Sequence, residues 1–330
     1  MGRTRGCRAF LLVLLLAVSP AAHAQGVEID FGGLVLAVSD SPTAQVFHIV
    51  DQLSEWDQYA HRQYVRWADK VLGLDQEDRR LLRQHADLRR ARGWGKGFEQ
   101  AFLVSDSIET GAARAVSAGL LSPDEAATER AILTHFAPKL TPFMESRRDR
   151  IQAFINRLRD ERATLQPLVA KLSRFAEAQG VIKVPVYLVA NPDESSGGGG
   201  ANGGRIVVEV PTADPMGFLL HEALHVFLAP HADAIRAAAA SAGLSFQALN
   251  EGIAYALAPG LTNDGRPVDL LADQLARYLV RDTPASDAYV QSYMIAAVIR
   301  PMLRLSLEQG ETLTAFLPKA TSRWRVVSPK

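Results

Sequence analysis

Residues 217–228 read GFLLHEALHVFL, an apolar stretch interrupted by three polar side chains, His221, Glu222 and His225. Burying such groups without partners is costly, so they must find some. Histidines four apart on a helix lie on one face, about 6 Å apart along the axis. Two imidazoles presented in this way can share one metal ion, with zinc–nitrogen bonds of about 2.0–2.1 Å. Glu222 follows His221 by one residue, about 100° round the helix, beside such an ion rather than on it. There it can act as general base toward a zinc-activated water. H-E-x-x-H is only five residues long, however, and needs a third ligand in the right place.

Two residues downstream are candidates. His231 lies six positions after His225, the spacing of the metzincin pattern H-E-x-x-H-x-x-G-x-x-H. That pattern uses glycine at its eighth position so that the chain can leave the helix sharply. This chain has Leu228 there, although Ala229-Pro230 offers another way to end the helix. The other candidate is Glu251, 26 residues after His225, within residues 245–258 (SFQALNEGIAYALA). Ser245 can cap that helix and Pro259-Gly260 ends it, so the intervening chain is long enough for a loop and a returning helix.

With Asn250-Glu251-Gly252-Ile253-Ala254 following His221-Glu222-Ala223-Leu224-His225, the sequence resembles the gluzincins. These zinc metallopeptidases pair H-E-x-x-H on one helix with N-E-G-x-A on a second. The resemblance spans about residues 180–320 and is specific in the two helices. It implies one zinc ion per chain held by His221, His225 and Glu251, and a peptide or protein substrate. It also implies a substrate-binding edge strand before the first helix, where residues 205–210 stand. A tyrosine or histidine that stabilises the oxyanion is implied as well. Tyr289 and Tyr293 lie in the right region, four apart on one helix face, with Tyr289 the first choice. Asn250 and Tyr255 are candidates to support the ligands. No G-x-M-E-N exopeptidase string precedes the metal helix.

The elements that must carry these residues follow from the surrounding pattern. Residues 27–38 (VEIDFGGLVLAV) read as a strand bent at Gly32-Gly33. Helical periodicity dominates from Thr43 to about Leu120, broken near Gly93–Gly97. Ser122-Pro123-Asp124-Glu125 is a strong helix start, with a cap, a first-position proline and acids in the first turn. Helix then runs to Gln179, with interruptions expected at Pro138, Pro142 and Pro167. Residues 184–190 and 205–210 read as strands, and the glycine-rich segment between them as a flexible hairpin loop. It lacks the spacing and the lysine of a phosphate-binding loop. Asp214 and Pro215 can open the metal helix. The expected architecture is α+β and helix-rich, zincin-like, with a small sheet beside the two metal-bearing helices. Residues 25–121 form a mainly helical N-terminal region and residues 122–330 the catalytic region.

Arg3, Arg5 and Arg8 precede the apolar run at residues 9–18, and Ala22-His23-Ala24 makes a small-x-small cleavage pattern. That order marks residues 1–24 as a secretory signal peptide and the mature protein as periplasmic or secreted. Cys7 is the one cysteine in the chain, so the exported part has no disulfide to rely on. Removing the three arginines leaves 33 basic against 36 acidic residues, a charge of −3 that gives no support for nucleic-acid binding. The function expected is an exported zinc metallopeptidase. A non-catalytic zinc-site binding protein and a hydrolase of a non-peptide amide or ester are the competing readings.

Overall fold

A computed structural model describes residues 26–57, 60–92, 97–194, 198–202, 204–212, 215–261 and 288–327. The expected signal peptide and Asp214 lie outside the described residues. The fold is mixed and helix-rich, around a five-stranded sheet of order β1-β2-β3-β5-β4. Strands β1 (Val27–Asp30) and β2 (Leu34–Ser39) are antiparallel. The segment expected as one bent strand is therefore a hairpin. Gly32 takes φ +86°, a left-handed conformation that glycine tolerates, and its N–H donates to Asp30 Oδ1 at 2.7 Å. Strand β2 runs parallel to β3 (Ile182–Ala190), and β3 parallel to β5 (Arg205–Val210). The edge is β4 (Gly199–Asn202), antiparallel to β5.

Strand alternation sends side chains to two covered faces. Val186, Leu188, Ile206 and Val208 join one large core with α7 (Arg162–Phe175) and α8 (Pro215–Leu228). Tyr187 and Val207 point the other way, against Ala44 of α1 (Pro42–Leu53) and Leu103 of α4 (Glu99–Leu103). Helices α1, α2 (Arg62–Val71), α3 (Gln76–Arg92), α4 and α5 (Ile108–Ser117) build a second core on that side.

Helix α6 (Pro123–Asp160) serves both cores, with Ile132, Phe136 and Leu140 in one and Ile151, Phe154 and Leu158 in the other. Ser122 caps its start and Pro123 opens it as expected, and Ser122 with Glu125 forms a capping box. The interruptions expected at Pro138 and Pro142 do not occur, and α7 likewise runs through Pro167. Buried residues on both sides of the prolines hold the helix continuous, and Thr141 Oγ1 donates to the Ala137 carbonyl at 2.8 Å. The break falls instead at Glu161, between α6 and α7.

Beyond α8, a short 3₁₀ turn (Ala229–His231) leads to α9 (Ala232–Ser241), and α10 spans Phe246–Tyr255. Ser245 caps α10 by accepting from the Ala248 N–H at 3.0 Å. A π-helical turn (Ala256–Leu261) follows, then α11 (Ala288–Gln309) and α12 (Leu313–Val327).

Candidate metal centre

Seven of the fourteen residues of α8 are apolar and buried in the core, which fixes the rotation of the helix. That rotation turns His221 and His225 toward α10. Helix α10 in turn presses closely on α11, because a Cβ on Gly252 would come within 2.6 Å of Ile295 Cγ2 and 3.2 Å of the Ser292 carbonyl. Gly252 is thus what lets the helix carrying Glu251 seat at this depth.

The result is a compact triangle of donor atoms. His221 Nε2 is 3.2 Å from Glu251 Oε2 and 3.2 Å from His225 Nε2, and His225 Nε2 is 3.4 Å from Glu251 Oε2. An ion bound tetrahedrally at about 2.0–2.1 Å has ligand–ligand edges of about 3.3–3.4 Å. The three atoms therefore form one face of such a tetrahedron, and this group can hold a metal ion. No other group of three or more histidines, cysteines or acids among the described residues does so.

Each histidine is oriented through its second nitrogen, as metal-binding histidines usually are. His221 Nδ1 lies 3.1 Å from the Ala258 carbonyl and donates to it, which fixes the ring with Nε2 facing Glu251 and His225. Ala258 reaches that position because it breaks from helical geometry, with φ −139° and ψ 125°. His225 Nδ1 is 3.0 Å from Asn250 Nδ2. Turning that amide by 180° would present Oδ1 to Nδ1–H instead, the arrangement that a metal ion at Nε2 calls for. Tyr255 lies against His221 with ring centroids 4.5 Å apart and planes tilted by 42°, and Tyr293 lies against Tyr255 at the same spacing, tilted by 35°.

Charge in the group is strongly coupled. Burial opposes ionisation of Glu251, but hydrogen bonds from His221 and His225 hold its carboxyl down to about 2. Burial also works against protonation of His225, and the Glu251 hydrogen bond and charge outweigh it, so this imidazole is raised above 6.5. Glu222 moves the other way. Burial lifts its carboxyl above 4.5 against the pull of His221 and His225; Glu251 adds to the rise, and the Ala201 N–H opposes it. Two carboxylates a few residues apart in space are thus pushed in opposite directions, a pattern characteristic of sites that divide ligand and proton-transfer roles.

The hydrogen bond from Ala201 places the edge strand over the helix. Glu209 N–H donates to the Gly198 carbonyl at 2.9 Å, so Gly198 pairs inward and the alternate residues Gly199 and Ala201 turn their backbone groups outward. The edge strand is therefore β4, formed by the glycine-rich segment expected as a loop. Residues 205–210, expected at the edge, lie one strand further in. Gly199 is required by contact, since a Cβ there would stand 2.4 Å from the Val207 carbonyl oxygen.

His231 stands apart from the donor triangle. Its Nε2 is 2.6 Å from the Ala176 carbonyl, at the end of α7. Tyr293 is buried in the core behind Tyr255. The side chain of Tyr289, the first choice for oxyanion stabilisation, lies outside the described residues. Two contributors escaped sequence reasoning, the Ala258 carbonyl and the Ala201 N–H; Tyr255, a candidate to support the ligands, lies against His221. Pro259-Gly260 was the one local hint of the chain break that delivers Ala258. Compared with protein-family models, with curated proteins and with solved structures, the chain matches none.

Proposed function

We propose that the protein is a zinc-dependent metallopeptidase, exported from the cell, in which His221, His225 and Glu251 hold the ion and Glu222 is the general base. The observation that carries this reading is the donor triangle with 3.2–3.4 Å edges and a raised carboxyl, Glu222, next to it beneath an edge strand. Two imidazoles and one carboxylate make a donor set that suits zinc and leave the fourth position open, as catalytic sites do. A zinc ion there supplies Lewis acidity that makes water nucleophilic and polarises a carbonyl.

The protein's own groups do the rest. The raised carboxyl of Glu222 suits it to accept a proton from the attacking water and pass it to the leaving amine. The Ala258 carbonyl and the Asn250 side chain contact Nδ1 of His221 and His225 and so orient each ring with Nε2 toward the ion. With the Ala201 N–H given to Glu222, the outward backbone groups of Gly199 and the Ala201 carbonyl suit an extended peptide, which can add as a further strand. That feature favours a peptide over a small amide or ester. A purely scaffolding zinc site, for its part, has no use for Glu222. The zincin-like fold and the gluzincin resemblance belong to the same reading.

The first test is zinc per chain in the purified protein, with Glu251→Ala prepared alongside. About one zinc in the wild type and a marked loss in the variant is the expected result. Zinc retained in Glu251→Ala would remove Glu251 from the ligand set. A wild type that takes up none after supplementation would end the metallopeptidase reading.

A further inference from the structure

Glu209 is fully buried on β5, on the sheet face opposite Val208. A buried carboxylate needs compensation, and this one is surrounded by donors. His48 Nε2 of α1 lies 2.9 Å from Oε1, and His61 Nδ1, just before α2, lies 2.7 Å from the same oxygen. Oε2 accepts from Gln63 Nε2 at 3.3 Å and from the Gly198 N–H at 3.1 Å. Burial opposes the charge, yet the two histidines hold the Glu209 carboxyl down to about 2, while Glu209 raises His61 against its own burial. None of these groups touches the donor triangle, and the reaction proposed above does not use them.

Their common feature is the start of β4. That strand is four residues long, and Gly199 and Gly200 give it no side chains with which to hold its register. Glycine also loses the most conformational freedom on ordering. Such an edge must be fastened at its ends. At the Gly198 end the Glu209 backbone donates to the Gly198 carbonyl and the Glu209 side chain accepts from the Gly198 N–H. The His61 ring closes over the same glycine, where an added Cβ would meet Cε1 at 3.0 Å. His61 is itself tied to α1, its N–H donating to Gln52 Oε1 at 2.7 Å.

We propose that Glu209, clamped by His48 and His61 of the N-terminal helical region, is a positioning residue that fixes the entry of β4. Through that strand it sets the backbone facing Glu222. The N-terminal helices are then part of the working site rather than a detachable accessory. The consequence for peptide binding rests on the metallopeptidase reading; the positioning itself does not.

Amide hydrogen exchange on the full chain tests the positioning without any substrate. Glu209→Gln and the more exposed His61→Leu should each speed exchange across residues 198–202 by about tenfold or more, the scale of a lost charge-assisted hydrogen bond. Helices α3 and α10 should exchange as in the wild type, and His61→Asn, which keeps a donor near the Nδ1 position, should restore protection. Unchanged exchange at 198–202 in both variants overturns the proposal, and so does acceleration spread over the whole molecule. On the zinc-loaded protein, His61→Leu should weaken an extended dipeptidyl hydroxamate while leaving acetohydroxamate, which needs only the metal, unaffected. Equal loss of both would place the effect at the metal and overturn the proposal. Failure of either hydroxamate to bind the wild type counts against the metallopeptidase reading alone, and the exchange result then decides the positioning.

Discussion

Glu222 and Glu251 are both carboxylates within reach of the same two imidazoles, and their surroundings give them different work. Glu251 accepts from both histidines and is held near 2, which suits a ligand that must stay ionised. Glu222 is raised by burial and touches a backbone N–H, which suits proton transfer. Replacing Glu222 by Gln keeps the shape and removes the base. Metal content should be unchanged while turnover of a cleavable peptide falls by about 10²–10⁴-fold; retained turnover would remove Glu222 from the chemistry. Asn250 reaches the site through His225 Nδ1. Asn250→Ala should therefore weaken metal affinity by about 10–100-fold, measured by competition with a chelator, because the imidazole loses the contact that orients it.

At the scale of elements, the site is a meeting of α8, α10 and β4, and each approach depends on small residues. Gly252 is where α10 lies against α11, with no room for a side chain. Gly252→Ala should cost about 1–3 kcal/mol, read as a lower thermal midpoint in the metal-free protein. The same change displaces Glu251, its neighbour, so the thermal gain on adding zinc should also shrink, since binding stabilises the native state by an amount that grows with the logarithm of affinity. An unchanged midpoint and an unchanged zinc response would show that Ile295 yields without moving α10.

The whole molecule carries a second cluster of buried charge, inside the N-terminal core. His85 is fully buried, with Nδ1 3.0 Å from Glu129 and Nε2 3.0 Å from Asp51. Arg89, also buried, bonds Asp51 at 2.7 Å and pairs with Glu99. Burial pushes the His85 imidazole down, but the two carboxylates outweigh it and hold it at about 9. An unfolded chain releases that proton near 6.5. Between these values the folded protein binds a proton that the unfolded chain does not, so stability falls as pH rises. The contribution is full below about 6.5 and gone above about 9, on the order of 3 kcal/mol. Urea midpoints at pH 6 and pH 9.5 should show this drop in the wild type and much less of it in His85→Gln. On the acid side Asp51 and Glu209, both held to about 2, lose their contributions only as pH falls from the ordinary carboxylate range through that value.

Some of this was determined by sequence alone, for local reasons. Apolar periodicity and caps are properties of neighbouring residues, so Ser122 and Ser245 mark their helix starts and Pro215 opens α8. The four-residue spacing of His221 and His225 likewise puts them on one face whatever surrounds the helix. The partner of that pair was narrowed to His231 or Glu251 but is decided in space: packing of α10 on α11 through Gly252 brings Glu251 to 3.2 Å, while His231 turns to Ala176. The prolines of α6 misled for the same reason, since burial on both flanks outweighs a lost backbone bond. The glycine segment 198–202 has no side-chain pattern to mark it as a strand. Its pairing comes from β5 and from the Glu209 carboxylate, held by histidines more than a hundred residues away in the chain. Helices and their caps are written locally; an edge strand made of glycine exists only where the tertiary structure supplies its partners.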